Sequence, residues 1–518
     1  MTSFCHSSGL RPERLALSAV MLALLPMVAG ANQSLSNTGY GLTVGPVFNR
    51  SNVGSAAYNP ANAMRLVGDD EKVRLGVLQM GGQYEIGDLN DVQKMADQIK
   101  ADVDGVRASN NADQAKTLAN KLNTTYLPAL ESGARMNVQG QVSLLAPLLW
   151  RTEALPGVWS LNVNAQAQAS GQFRGSDMGV LVKFTGSGGA ALGSIAVPVT
   201  SLTNELSALQ NASGSAAQTA ALQNLRVLLS GTDQTTVNNL ITTTSGGQTV
   251  GTTYAVTSAS AFDFKVAQVN QISLGFSHDL TRIMPALSPS AKLDAGMRLN
   301  AYQAKLYRQL AAFVDADGNG NQIKLSSDRT YQRNASAVGL DVGAMWSDDN
   351  YQLGASIYNV NNPKLSYPSP ADDTNAANRA AAQTLAAQGK ISLSDSVALK
   401  PHLVLEGSLY SANKRWLLQG SMAANETTDF VGDPQKHATV SLSFNAERFE
   451  TGWLDYVVPS VRLGYRRNLV GSQLSTLGLG LSWGVFNVDM NTSTQKVQAD
   501  GNSVPRSAGV SLSIAEKF

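Results

Sequence analysis

The chain has 518 residues, a formal net charge of +1 and only 15% charged residues, against roughly 25% in ordinary soluble domains. That balance excludes both a basic field that would draw nucleic acid and an acidic tail. The single cysteine, Cys5, precedes the one long apolar run, so the rest of the chain has neither a disulfide framework nor a thiolate metal site.

The first element in chain order is a targeting segment. Arg11 and Arg14 precede the apolar run 15–28, and Ala29-Gly30-Ala31 supplies small residues at a cleavage position. This order predicts a secretory signal over 1–31 and a mature start near Asn32. The run is too short for a membrane anchor and is broken by Pro26. Next comes Asn59-Pro60-Ala61, where Asn59 as N-cap and Pro60 at the first helical position predict a short helix over 61–66. A strand is expected at 73–77. Residues 88–106 then place Leu89, Val92, Met95, Ile99, Val103 and Val106 at spacings of three and four, the period of an amphipathic helix. A second helix is expected over 112–130, ending near Pro128. Residues 201–229 and 372–388, rich in Ala, Gln and Asn, are also helical in propensity. Insertions near 88–130, 201–229 and 372–388 suit a cap, a plug or a solvated surface excursion.

Between these insertions the period is two. Residues 159–169 alternate Trp159, Leu161, Val163, Ala165, Ala167 and Ala169 with Ser160, Asn162, Asn164, Gln166 and Gln168. That run matches the ~9–11 residues of a tilted strand crossing a bilayer. Its neighbour sets Met136, Val138, Val142 and Leu144 against Arg135, Asn137, Gln139, Gln141 and Ser143. Similar runs recur at 293–301, 438–444, 461–465, 477–485 and 510–514. A soluble sandwich also alternates, but one face here is rich in Gln, Asn and Ser, as a wet lumen would be. The strands are also too many for one sandwich. Trp346, Tyr351 and Trp416 stand at strand ends, where an interfacial girdle would lie.

The last strand puts Val510, Leu512, Ile514 and Phe518 on one parity. A terminal aromatic on an amphipathic strand resembles the signal read by the outer-membrane barrel-assembly machinery, from which Glu516 departs. Counting back from a periplasmic C-terminus makes 491–506, 426–436, 361–396 and 306–334 outer loops. Residues 411–415, 347–350 and 281–290 become inner turns, as barrels with short inner and long outer connections require. The segment 449–459 is a long inner exception.

Chemistry-bearing motifs are sparse. His278, His402 and His437 are far apart in sequence, with no helical metal spacing. There is no G-x-S-x-G elbow and no P-loop, so the chain reads as no enzyme, with no cofactor. Asp315, Asp317 and Asn319 alternate with glycine at the sixth position, as at the start of a calcium loop, but the twelfth position is Ser326. Without the bidentate Glu, an Asx/Gly-rich turn is the favoured reading and calcium the alternative.

Two segments carry a family resemblance. Residues 54–66, with Asn59-Pro60-Ala61 at their centre, are similar to the segment preceding the first strand of FadL-type outer-membrane transport barrels. Residues 339–346 and 353–363 resemble the TraF-like, plasmid-transfer-operon branch of that superfamily. The resemblance implies an all-β fold: an antiparallel transmembrane barrel of about 14 strands (14–16 by the count above) over 71–518. It also implies an N-terminal hatch over 32–70. Expected partners are outer-membrane lipid and a hydrophobic small-molecule ligand, taken up passively past the hatch or through a lateral opening. The alternative is a structural or conjugation-associated envelope protein acting through protein partners. Either places the protein in the cell outer membrane after export.

Overall fold

The computed structural model describes residues 39–49, 52–68, 70–87, 92–152, 155–198, 204–229, 231–281, 290–313, 328–445, 458–499 and 502–517. Fourteen antiparallel strands close into a barrel. They are β1 (Val73–Ile86), β2 (Arg135–Arg151), β3 (Val158–Arg174), β4 (Ala261–Asp279), β5 (Lys292–Ala312), β6 (Gln332–Ser347) and β7 (Tyr351–Tyr358). Then follow β8 (His402–Tyr410), β9 (Trp416–Ala423), β10 (His437–Phe444), β11 (Ser460–Asn468), β12 (Ser475–Trp483), β13 (Phe486–Ser493) and β14 (Ser507–Lys517). Each strand pairs with its neighbour in this order, and β14 returns to β1 from Arg74↔Lys517 to Glu85↔Ser507. Closure leaves no open edge.

The period of two decides which side chains face where. On β3, Asn162, Asn164, Gln166 and Gln168 are buried against the lumen contents, while Ala165 and Ala167 are exposed outside. Around the wall the outward positions are large and apolar, among them Val142, Ile272, Leu299, Val338, Leu405, Leu442, Leu463, Leu477 and Leu512. Such a continuous exposed band would be intolerable in water and belongs against hydrocarbon. Every tryptophan among the described residues (Trp150, Trp159, Trp346, Trp416 and Trp483) lies at the rim where β14 ends, which we call the inner rim. Trp159 packs on Phe276, Trp346 on Tyr351 and Trp416 on Phe444, with ring centroids 5.0, 5.4 and 5.0 Å apart. An amphipathic ring at one rim is what a membrane interface selects.

The wall is uneven in height. Strands β2 to β6 run 16–21 residues, whereas β7 to β13 run 8 or 9. Only ~9–11 residues are needed to cross, so the long half stands above the outer rim and carries a cap. Helices Val92–Ser109, Ala112–Lys121 and Leu127–Gly133 come from the β1–β2 connection. The β3–β4 connection adds helices Asn204–Asn211, Ser215–Val227 and Gly231–Ser245, with a three-stranded sheet of Gly179–Thr185, Ala191–Pro198 and Gly251–Thr257. Both connections share one apolar core, including Leu118, Leu122, Val182, Phe184, Leu222 and Val237. The cap sheet and the helix Gly231–Ser245 were not foreseen. The helix does not stop at Pro128, because the π-turn Leu122–Tyr126 restarts it and leaves Pro128 in a first turn, where a missing N–H is tolerated. The helix Ala376–Ala387 sits apart, its Ala381 and Leu385 packing on Leu310 and Ala312 of β5.

Candidate functional site: a lumen closed at both ends

The inner half of the lumen is filled by residues 39–68. Their elements are short: helix Tyr40–Val44, 3-10 turns Val53–Ala57 and Pro60–Asn62, and helix Ala63–Leu66. Asn59 is the N-cap, its side-chain oxygen accepting from Ala61 N at 3.0 Å, and Pro60 occupies the first turn. The same side chain turns outward to the wall, donating to Glu406 Oε1 at 2.9 Å and Ala344 O at 3.2 Å. The resemblance motif is thus a helix start and a wall contact at once.

The hatch fits because glycines on the wall leave room for it. A Cβ at Gly296 would stand 2.4 Å from the Pro60 carbonyl carbon, and one at Gly343 would stand 2.1 Å from Asn59 Oδ1. A Cβ at Gly464 would stand 1.8 Å from Thr43 O. Contacts this short exclude any side chain (a van der Waals contact needs about 3.5 Å).

Charged side chains hold the hatch in place. Arg298 pairs with Asp341 on the neighbouring strand at 2.8 Å and donates to Ala57 O at 2.6 Å. Arg462 pairs with Asp489 at 3.1 Å and lies under the Tyr40 ring. Arg74 donates to Leu66 O at 2.5 Å and Arg151 to Val67 O at 2.7 Å. Among its described residues the hatch contributes one cation, Arg65, which donates to Asp294 Oδ1 at 2.7 Å and Asp279 at 3.4 Å. Glu406 is the acceptor of the set, taking the Phe48 N–H at 2.6 Å as well as the Asn59 amide.

The outer end is closed differently. Residues 424–436, between β9 and β10, fold inward as a strap whose tip is Phe430 and Val431. Residues 359–401 add Leu365, Tyr367, Val397 and Leu399. All of these pack on an apolar patch of the inner wall formed by Ala267, Val269, Tyr302, Ala304 and Leu306 of β4 and β5. Tyr367 donates its hydroxyl to Phe430 O at 2.7 Å, and burial holds its phenol well above the usual range, so it stays a donor. The strap is tied across the lumen by Asp429 and Asp433, which receive the Asn137 amide of β2 at 3.0 and 2.7 Å.

Beside the strap's Asp433 and Gln435 lies a small polar chamber of about 50 Å³, lined on the wall side by Gln83, Asn137, Gln139, His437, Arg466 and Asn491. The larger concavity, about 1120 Å³, is lined chiefly by outward-facing side chains of β14 and β1 to β6, including Met80, Val142, Gln268, Gln303, Lys305 and Leu512. It is therefore a groove in the outside of the wall. No apolar pocket stands open inside the lumen among the described residues, because loop side chains cover the apolar patch.

Of the other residues singled out in the sequence, Val510 and Leu512 are 50% and 49% exposed on the outer face of β14, and Ile514 shares their side. Phe518, Asp315, Asp317 and Asn319 lie outside the described residues. His402 stacks on Tyr358 and His437 is half-buried beside the polar chamber, on different strands. Glu406, Arg462, Asp489, Asp429 and Asp433 were missed. The signal for three of them was a charge on the lumen parity of a strand, as in Val404-Leu405-Glu406-Gly407-Ser408.

The family model described as "F plasmid transfer operon, TraF, protein" matches residues 56–422. No curated protein matches the chain. Among solved structures, the "TodX deltaS2S3 mutant monoaromatic hydrocarbon channel" is similar at 12% identity and a TM-score of 0.40, over 94% of this chain and 99% of that one. The "CymD monoaromatic hydrocarbon channel" is similar at 11% identity and a TM-score of 0.27, over 95% of this chain and 98% of that one.

Proposed function

The chain belongs to the family of the F plasmid transfer operon TraF protein, and from that premise we propose a gated outer-membrane barrel for passive uptake of small hydrophobic molecules. One observation carries the reading. Apart from the hatch seat, where Leu149, Val158 and Met345 pack on hatch residues, Ala267, Val269, Tyr302, Ala304 and Leu306 form an apolar patch on an inner wall rich in amides, hydroxyls and ion pairs. Its cover comes from loop side chains, Phe430, Val431 and Tyr367, and not from the barrel itself. A site that is apolar with a few fixed polar groups is what a small apolar ligand requires. A ligand that displaces Phe430 takes its place on that patch, and exit then requires the hatch to move.

The test is uptake of a panel of small apolar compounds by cells with and without the gene, and by cells carrying Phe430→Ala. The reading expects uptake that depends on the protein and changes with Phe430. Unchanged uptake across the panel in the deletion strain would contradict it.

A second reading is favoured by the cap. Its two connections bury a core of their own above the rim, a module that passage of a solute does not need. A structural or conjugation-associated role would use this cap as the docking surface for envelope proteins. Crosslinking in intact membranes separates the readings, since a transporter is recovered largely alone. A cap-dependent partner would favour the second.

A further inference from the structure

The groove in the outside of the wall follows the hydrogen-bond register of seven strands. One row of cross-strand partners passes Leu512, Met80, Val142 and Ala165, then reaches Asn270, Gln303 and Ser336. The next row toward the cap passes Val510, Gly82, Gly140 and Ala167, then reaches Gln268, Lys305 and Asn334. Every one of these positions has the outward parity of its strand. The concavity over them, about 1120 Å³, exceeds the about 300–1,000 Å³ of pockets for drug-sized ligands. Strands about 4.8 Å apart carry it over roughly 28 Å, against about 20 Å for one leaflet of a bilayer with its headgroups.

The groove changes character along its length. Toward β14 it is apolar, and Gly82 and Gly140 leave the backbone bare. Toward β6 it is lined by Gln268, Asn270, Gln303, Lys305, Asn334 and Ser336, and none of these side chains bonds to another described residue. The faces of β4 and β5 are inverted here, because Ala267, Val269, Ala304 and Leu306 on the other parity face the strap. Polar chains on a wall that otherwise meets hydrocarbon need polar atoms from outside the chain. Lys305 is the one charge among the described lining residues, and it is positive.

The groove also climbs. Trp159 and Trp346 both stand at the inner rim, yet Asn334 lies farther along its strand from Trp346 than Ala167 does from Trp159. A strand clears the hydrocarbon in about 9–11 residues. Lys305 and Asn334 lie beyond that span from the paired Leu293 and Trp346, whereas Met80 and Val142 lie within it from Val73 and Trp150. The polar end is therefore at headgroup height on the cap side, and the apolar end is at acyl depth.

We propose that the groove holds one anionic phospholipid of the cap-side leaflet, its phosphate at Lys305 and its acyl chains laid over Ala167, Gly140 and Met80. The ammonium meets the phosphate, and the carboxamides of Gln268, Gln303 and Asn334 donate to phosphate and ester oxygens. The bare glycines let the tails lie against the wall. The same face of a second copy offers an equal concavity and an equal positive charge, so it complements neither. This inference is independent of what passes through the lumen.

The test is native mass spectrometry of the full-length protein in detergent, titrated with phosphatidylglycerol. The groove predicts one lipid per chain retained ahead of all others, and held at least tenfold more tightly than diacylglycerol, which lacks the phosphate. Lys305→Gln weakens retention at least tenfold, and Lys305→Arg keeps it. Gly140→Leu, whose new Cβ meets only Gly81 O at 3.9 Å, fills the apolar end without disturbing the barrel and removes the retained lipid. Millimolar inorganic phosphate leaves the lipid bound. Equal retention of phosphatidylglycerol and diacylglycerol, retention that ignores Lys305→Gln or Gly140→Leu, displacement by inorganic phosphate, or a dimer in place of the lipid overturns the proposal.

Discussion

The hatch and the strap both close the lumen, but their charges sit on opposite partners. At the hatch the ion pairs Arg298–Asp341 and Arg462–Asp489 have both members on the wall, and the hatch offers them mainly backbone carbonyls and the face of Tyr40. A hatch that leaves takes few charges with it and strands few behind; Arg65 and Glu406 are the exceptions. At the strap the carboxylates belong to the moving piece, and the wall answers with amides and Arg135. Moving the strap exposes both an apolar patch and two acids. Among the described residues, unseating the hatch breaks the pairing of one cation, Arg65, with Asp294 and Asp279 on the wall and leaves Arg298–Asp341 and Arg462–Asp489 intact, and breaking a buried pair is what costs several kcal/mol. The strap, by contrast, responds to whatever neutralises its acids.

The largest effect that would break this comparison comes from the glycine seats. Gly296→Ala puts a carbon against the Pro60 backbone, so the hatch should be expelled while the barrel stays folded. Limited proteolysis should then cut within residues 39–68 at least tenfold faster than in the unmodified chain. Next comes Glu406→Leu, which leaves the Phe48 N–H and the Asn59 amide without their acceptor. Hatch docking should weaken by about 3 kcal/mol, read as faster hydrogen exchange at residues 48–62 with the strap unaffected. Phe430→Ala should loosen the strap alone, by about 2 kcal/mol of lost burial, and open the apolar patch to a fluorescent apolar probe.

The smallest effect is a pH dependence. Burial, and then the Asp433 charge beside it, raise the Asp429 carboxyl above its ordinary range. Its proton is held more tightly in the folded state than in the unfolded one. The contribution of this group to strap stability is therefore greatest at low pH, and is lost as pH rises from the ordinary carboxylate range through the raised value. Asp429→Asn should flatten that slope in thermal melts; an unchanged slope would assign it elsewhere.

Much of the wall was legible in the sequence because strand parity is local. Trp159 to Gln168 alternate without a break, and the structure places each on the side that alternation required. The loop count from the C-terminal strand also held, including the inner turn before Trp416. The cap was legible only as helices. Whether residues 92–133 and 204–245 shared a core depends on contacts between two connections far apart in the chain, such as Leu122 with Leu222 in one cluster. The site was the least legible part. Asn59 showed itself as an N-cap, but nothing local tells that Glu406, hundreds of residues later, accepts its amide. The apolar patch was hidden for a related reason: Ala267 and Val269 sit on the lumen parity of a strand whose outward positions are Gln268 and Asn270. There the usual polarity of the two faces is reversed, because this part of the long strand meets the strap inside and lies in the external groove outside.

Planar-bilayer recording of the purified barrel tests the central claim, that the lumen is closed by removable pieces. The account predicts no steady ion conductance from the unmodified protein and stepwise open conductance from a chain carrying both Gly464→Ala, whose added carbon meets Thr43 O, and Phe430→Ala, which loosens the strap. A wide, steady conductance from the unmodified chain, or a doubly substituted chain that stays closed, would contradict it.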